Sequence, residues 1–140
     1  MSAISRKLID QVKAHEGFRE KPYYCTSGKL TIGYGWNLDS GIDKELASKV
    51  LQGQLNEIHR SLCRIDWFCA IENQERRDVI VNMSFNLGVA GVCRFYKMIN
   101  AISLMDYDQA ADEMLDSKWA KQVGNRAVEL AEQMRSGQYK

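Results

Sequence analysis

The amino-acid sequence predicts an α+β fold, in which a small antiparallel hairpin sheet lies beside a mainly helical body. Three observations carry that expectation. Apolar residues recur at helical spacing near the start of the chain, the block from Pro22 to Leu38 is instead dense in aromatic, β-branched and glycine residues, and the remainder returns to helical patterning. With 140 residues, 45% of them apolar and 26% charged, the chain can bury one sizeable core but is short for two independent domains. A single domain is expected, with a sheet lobe over about 17–40, a helical lobe formed by 1–16 and 41–140, and a groove between them.

In chain order, Ile4, Leu8, Ile9 and Val12 alternate with Arg6, Lys7, Asp10 and Lys13, which predicts an amphipathic helix over 3–15 stopped by Gly17. Glu16 lies one turn beyond Val12. In YYCTSGKLTIGYGWNL, Ser27-Gly28 reads as a hairpin turn. Asp43 is placed to cap a helix carrying Leu46, Val50, Leu51, Leu55 and Ile58. The run VIVNMSFNLG could be a buried strand or a buried helix. Glu75-Arg76-Arg77 leads into it as a helical first turn and Gly88 suits a C-terminal cap, so a helix is expected. Further helices are expected at about Phe95–Ser103, Asp106–Asp116 and Asn125–Arg135, the last closed by Gly137.

Composition excludes some functions. Nineteen basic and eighteen acidic residues leave a net charge of +1, which points to neither nucleic acid nor an anionic membrane surface. The opening MSAISRKLIDQVKAHEG interrupts its apolar residues with charges every few positions, so neither a signal peptide nor a membrane span is expected. Cys25, Cys63, Cys69 and Cys93 have no CxxC spacing and there are only two histidines, so no metal site is expected. Cys63, Cys69 and Cys93 are read as reduced, packed thiols.

Glu16 is the candidate for chemistry. A carboxyl group at the end of a helix meets the negative end of the backbone dipole, which favours its proton-donating form, and glycoside hydrolysis needs such an acid at the leaving oxygen. An ordinary solvated glutamate would show the same helix position, so the surrounding residues must decide.

The stretch EGFREKPYYCTSGKLTIGYG, which begins at Glu16, resembles the phage-type lysozyme family, the group of the T-even phage lysozymes. That family pairs a glutamate with an aspartate or cysteine nine positions on and a threonine six beyond, here Glu16, Cys25 and Thr31. The resemblance continues through Thr31-Ile32-Gly33-Tyr34-Gly35, where Gly33 and Gly35 would let a sugar chain approach the backbone. Farther on, NMSFNLGVAGVCRF resembles the family's central buried helix, which implies that Asn82 and Phe85 line the cleft. SKWAKQVGNRA resembles its tryptophan and Asn-Arg element, which implies Arg126 near the catalytic glutamate. Trp36, at the sheet edge after the glycines, is a candidate for stacking on a sugar.

The resemblance implies a lysozyme-like fold and a muramidase that hydrolyses the β-1,4 bond between N-acetylmuramic acid and N-acetylglucosamine of bacterial peptidoglycan. It implies no cofactor and no metal, a monomer, and an inverting reaction. A phage endolysin is expected, made in the host bacterial cytoplasm and reaching the wall by a separate route. A catalytically impaired peptidoglycan-binding or scaffolding domain and a lytic transglycosylase are the alternatives. The departure in this chain is Cys25, which is expected to be a mostly neutral thiol and therefore a poor general base. The reading also sets a condition on the hairpin. A two-residue Ser27-Gly28 loop would turn Thr31 away from Cys25, whereas a Ser27-Gly28-Lys29 loop, or a Cys25 outside the strand, would not.

Overall fold

The computed structural model describes residues 3–140; residues 1 and 2, which belong to the expected helical lobe, lie outside the described residues. The fold class is α+β as the sequence predicts, and the chain divides into two compact units, Met1–Lys49 and Val50–Lys140.

In the first unit, helix α1 (Arg6–Glu16) starts where Ser5 accepts a hydrogen bond from the Leu8 N–H at 3.1 Å, and it stops at Gly17, whose N–H donates to the Lys13 carbonyl at 2.9 Å. Glu16 is the last helical residue, so its side chain stands at the entry to the sheet. Strands β1 (Arg19–Tyr24), β2 (Leu30–Gly33) and β3 (Trp36–Asn37) form an antiparallel sheet in the order β1-β2-β3. Strand β1 begins before the aromatic block, and its register shifts between Arg19 and Tyr23. Pro22 lies within that interval and has no N–H to give to the ladder.

The hairpin meets the sequence condition by its second route. Tyr24 pairs with Leu30 and Tyr23 with Thr31, which leaves Cys25 outside the strand. The Gly28 N–H donates to the Cys25 carbonyl at 2.8 Å and the Cys25 N–H to the Lys29 carbonyl at 3.0 Å, so the connection is Thr26-Ser27-Gly28. This is the hairpin form in which a turn is followed by a left-handed glycine. Because Tyr23 faces Thr31 and side chains alternate along a strand, Cys25, two residues after Tyr23, returns to the face of Thr31.

A 3-10 turn at Leu38–Ser40 leads to helix α2 (Lys44–Leu62), which Asp43 caps through its Oδ1, 2.8 Å from the Leu46 N–H. In the second unit follow α3 (Asp66–Cys69), α4 (Gln74–Val92), α5 (Tyr96–Ser103), α6 (Tyr107–Leu115), α7 (Lys118–Val123) and α8 (Asn125–Ser136). The ambiguous apolar run is helical. Val79, Ile80, Met83 and Ser84 of α4 are buried, and the Ser84 hydroxyl is satisfied by the Ile80 carbonyl at 2.8 Å. The helix breaks at Gly88, whose φ of 76° and ψ of 157° end the regular part where a capping glycine was expected. Helices α3 and α7 are too short to show a period and were not expected from the sequence.

The apolar core lies in this unit, where Met83 of α4, Met98 and Ile102 of α5, Met114 of α6 and Leu130 and Met134 of α8 belong to one cluster. Arg76 joins the start of α4 to the end of α8: its Nε donates to the Met134 carbonyl at 2.7 Å and its Nη2 to the Arg135 carbonyl at 3.0 Å, while its guanidinium lies 3.9 Å from the centre of the Tyr107 ring. Those carbonyls have no partner within their own helix, so one arginine satisfies a helix end and sets the pitch of two helices against each other.

The reading of packed cysteines needs correction. Cys63 and Cys69 are exposed, because the buried residues are their neighbours Leu62 and Phe68 and the thiols point the other way; Cys93 is half-buried. Trp119 is buried, whereas Trp67 is half-buried against the core. Among the described residues no single helix is long and apolar enough to cross a membrane; only α4 with α5, bent by 105°, has the length and composition, and its residues supply much of the core.

Candidate functional site

The first unit brings Glu16, Cys25, Thr31, Gly33, Gly35 and Trp36 into one small scaffold. Tyr34 is its pivot. Its ring lies 5.4 Å from that of Phe18, and the Lys13 ammonium sits 5.4 Å from its centre, so the tip of the β2 strand is held against the end of α1. The result is a close approach of Glu16 to Gly35. A Cβ at Gly35 would stand 3.0 Å from Glu16 Oε2, and the backbone φ there is +87°. Both facts require glycine: one removes the room for the carboxyl group, the other is a conformation that L side chains rarely adopt.

Cys25 stands at the mouth of the turn. Its Sγ lies 3.1 Å from the Ser27 hydroxyl, and this hydrogen bond, followed by backbone amides at Lys29 and Ser27, pulls the thiol from the ordinary 9.0 down to about 7. The expectation of a mostly neutral thiol is thereby corrected: near neutral pH a large share of Cys25 is thiolate, with Ser27 donating to it. The sequence reading assigned Ser27 only to a turn, yet a hydroxyl two residues beyond a cysteine in a tight hairpin is placed to reach the sulfur.

Thr31 is buried at 4% exposure, and its Oγ1 donates to the Lys29 carbonyl at 2.8 Å. Its proton is therefore committed, and its lone pairs are left to accept. Cys25 as thiolate is likewise an acceptor. Two acceptors on one face of the hairpin suit a molecule that brings two donors, such as water. Trp36 in β3 is 37% exposed, and His15 is an exposed residue of α1, as expected of a surface histidine.

The second unit gathers the other three residues. Asn82 of α4 and Arg126 of α8 are joined by two hydrogen bonds into a single oxygen, from Arg126 Nε at 3.0 Å and Nη2 at 2.6 Å to Asn82 Oδ1. Ser117 caps α7 by accepting from the Ala120 N–H at 3.1 Å, Trp119 anchors that helix edge-on against Phe95 at 6.4 Å, and the chain turns at Gly124 to deliver Arg126 to the second position of α8. Asn82, Phe85 and Arg126 line a cavity of about 570 Å³ together with Leu55, His59 and Tyr139, whose hydroxyl is hydrogen-bonded to Asp78. A larger cavity of about 650 Å³, walled by Phe95 and Trp119, contains none of the residues expected at the site. No group of three or more histidine, cysteine, aspartate or glutamate side chains among the described residues has the arrangement of a metal site.

Comparison with known proteins adds an independent line. Residues 13–136 match the model of a family described as phage lysozyme. The chain is 26% identical to a probable T4-type lysozyme 2 of Dictyostelium discoideum, over 95% of this chain and 96% of that protein. It is 30% identical to an endolysin of Acyrthosiphon pisum secondary endosymbiont phage 1, over 84% of this chain and 80% of that protein. It is also 24% identical to the pre-baseplate central spike protein of Enterobacteria phage T4, over 86% of this chain but only 26% of that much longer protein.

Proposed function

The chain belongs to the phage lysozyme family, and on that premise we propose that it is a muramidase in which Glu16 is the general acid. The substrate is peptidoglycan, the bond is the β-1,4 linkage between N-acetylmuramic acid and N-acetylglucosamine, and the biological role is that of an endolysin. Synthesis is in the host cytoplasm, with a separate route to the wall.

The observation that carries this reading is the seat of Glu16, whose carboxyl group lies against the glycine backbone at Gly35 in the same scaffold as Cys25 and Thr31. In the proposed reaction Glu16 gives its proton to the glycosidic oxygen as the bond to the anomeric carbon breaks. A water that donates one hydrogen to the Cys25 thiolate and the other to Thr31 Oγ1 presents its own lone pair to the oxocarbenium-like carbon. As the water attacks, Cys25 takes its proton. Direct attack by water inverts the anomeric configuration, so the β-linked chain yields an α-product. Gly33, Gly35 and Trp36 on the first unit, and Asn82, Phe85 and Arg126 on the second, are proposed to bind the sugar chain.

Three measurements on the purified protein test this. Clearing of a cell-wall suspension is expected; binding to walls with no clearing would instead indicate a binding domain. Mass spectrometry of the products should give hydrolysed reducing ends, whereas anhydro-sugars would indicate a transglycosylase. An NMR time course should show the α-anomer first, and β-product appearing first would overturn the direct attack of water.

A further inference from the structure

The geometry points to a second cysteine site, an oxidisable dithiol formed by Cys63 and Cys69 at the corner between α2 and α3, with His59 beside it. Both thiols are free and exposed. They are not there by loose placement. Leu62 is fully buried and Phe68 is 1% exposed, so the residues next to each cysteine are locked into the core and fix the direction of both thiols. Between them the chain folds back tightly, with the Arg64 N–H on Ser61, the Ile65 N–H on Leu62 and the Cys69 N–H on the Ile65 carbonyl.

The sulfurs lie close to one another's surroundings. Cys69 Sγ is 2.9 Å from the backbone oxygen of Cys63. That oxygen is itself only about 2.4 Å from the Cys63 Cα by standard covalent geometry, which puts the Cys69 sulfur beside the base of the Cys63 side chain. Cys63 Sγ points instead to His59, one helical turn back, at 3.6 Å from each ring nitrogen. The His59 ring is held in place by an edge-on contact with Phe68 at 6.0 Å. Closing the bond calls for a rotation of Cys63 about its Cα–Cβ bond, which turns its sulfur from the histidine toward Cys69.

These positions assign roles. Cys63 is the attacking thiol, since a nitrogen base stands beside it to take its proton, and Cys69 is the resolving thiol. With a small disulfide such as oxidised glutathione, the Cys63 thiolate attacks one sulfur and releases one glutathione thiolate, leaving a mixed disulfide on Cys63. Cys69 then attacks the Cys63 sulfur and releases the second glutathione thiolate, which takes up the Cys69 proton. Two protein thiols are oxidised, one glutathione disulfide is reduced to two thiols, and no further oxidant is needed. The bond closes a short loop that ties the end of α2 to α3, and it forms wherever the surrounding thiol pool is oxidising. The site does not depend on the proposed hydrolytic reaction.

The test is exposure of the reduced, folded protein to oxidised glutathione, followed by non-reducing trypsin digestion and mass spectrometry. Cleavage after Arg60, Arg64 and Arg76 separates Cys63 and Cys69 into peptides 61–64 and 65–76, so the two stay joined only by the new bond. The expected product is that joined pair, two hydrogens lighter than the sum of its peptides. Cys69→Ser should accumulate one glutathione on Cys63, Cys63→Ser should yield far less adduct on Cys69, and His59→Asn should slow formation of the joined pair several-fold. A joined pair seen only after denaturation, a stable glutathione adduct on Cys63 in the unaltered protein, or an unchanged rate in His59→Asn would overturn the assignment.

Discussion

The two groups of candidate residues are built in opposite ways. In the first unit Cys25, Ser27 and Thr31 span seven residues of one hairpin and are held by contacts within that hairpin. In the second, Asn82 and Arg126 are 44 residues apart and meet because Arg76, at the start of α4, is bonded to the carbonyls that end α8. Local hydrogen bonds can place an acceptor and tune a thiol. Placing a charged side chain on an amide far along the chain takes a packed core, because only the core fixes one helix against another. Substitutions in the hairpin should therefore change chemistry and spare the fold, whereas those around Asn82 should change both.

The largest expected effect tests the first unit alone. Glu16→Gln keeps the shape and removes the transferable proton, so wall clearing should fall by roughly 100- to 10,000-fold while circular dichroism and thermal melting stay unchanged. A folded variant that still clears walls at a comparable rate would move the acid elsewhere.

Gly35→Ala should come next. The added methyl stands 3.0 Å from Glu16 Oε2 at a φ of +87°, and a non-glycine residue held in such a backbone costs about 1–3 kcal/mol. Clearing should drop because the carboxyl group is pushed aside, and the melting temperature should fall as well. Full activity in this variant would show that Glu16 does not need its seat on Gly35.

Arg126→Met sharpens the other side of the comparison. Asn82 Oδ1 loses both of its donors, a charged hydrogen-bonding arrangement worth about 1.5–3 kcal/mol, so a clearing rate lower by roughly tenfold or more should accompany a lowered melting temperature. If stability falls and the rate per folded molecule does not, Arg126 serves the fold and not the sugar.

The smallest effect is on Cys25. Peptide-resolved alkylation with iodoacetamide should show its thiolate titrating near pH 7. Hydrogen bonds to a charged form favour that form, so the thiolate dominates above this midpoint and the thiol below it. Ser27→Ala removes the strongest of those bonds and should move the midpoint upward toward 9.0 with no loss of stability. Clearing by the unaltered protein should weaken as pH falls through about 7 from loss of the thiolate, and Cys25→Asp, whose carboxylate ionises near 3.9 in an ordinary setting, should stay active there. A Cys25→Asp variant with the same acid-side decline would assign that decline to another group.

By itself the sequence determined the class of the fold and most of its elements. Apolar spacing marked α1, Asp43 and Gly88 marked helix ends, and the glycine-rich aromatic block marked the sheet, because capping, turns and periodicity are properties of short stretches and are legible wherever they occur. The spacing of Glu16, Cys25 and Thr31 was legible for the same reason. Only the tertiary structure decided what those residues meet. That Tyr34 pins the strand to the end of α1, that Cys63 and Cys69 face outward while Leu62 and Phe68 fill the core, and that Arg126 lands on Asn82 are all matters of direction. Direction follows from which neighbour wins the buried position and which polar group finds a partner. Those contests are settled between segments distant in sequence, where no local pattern reaches.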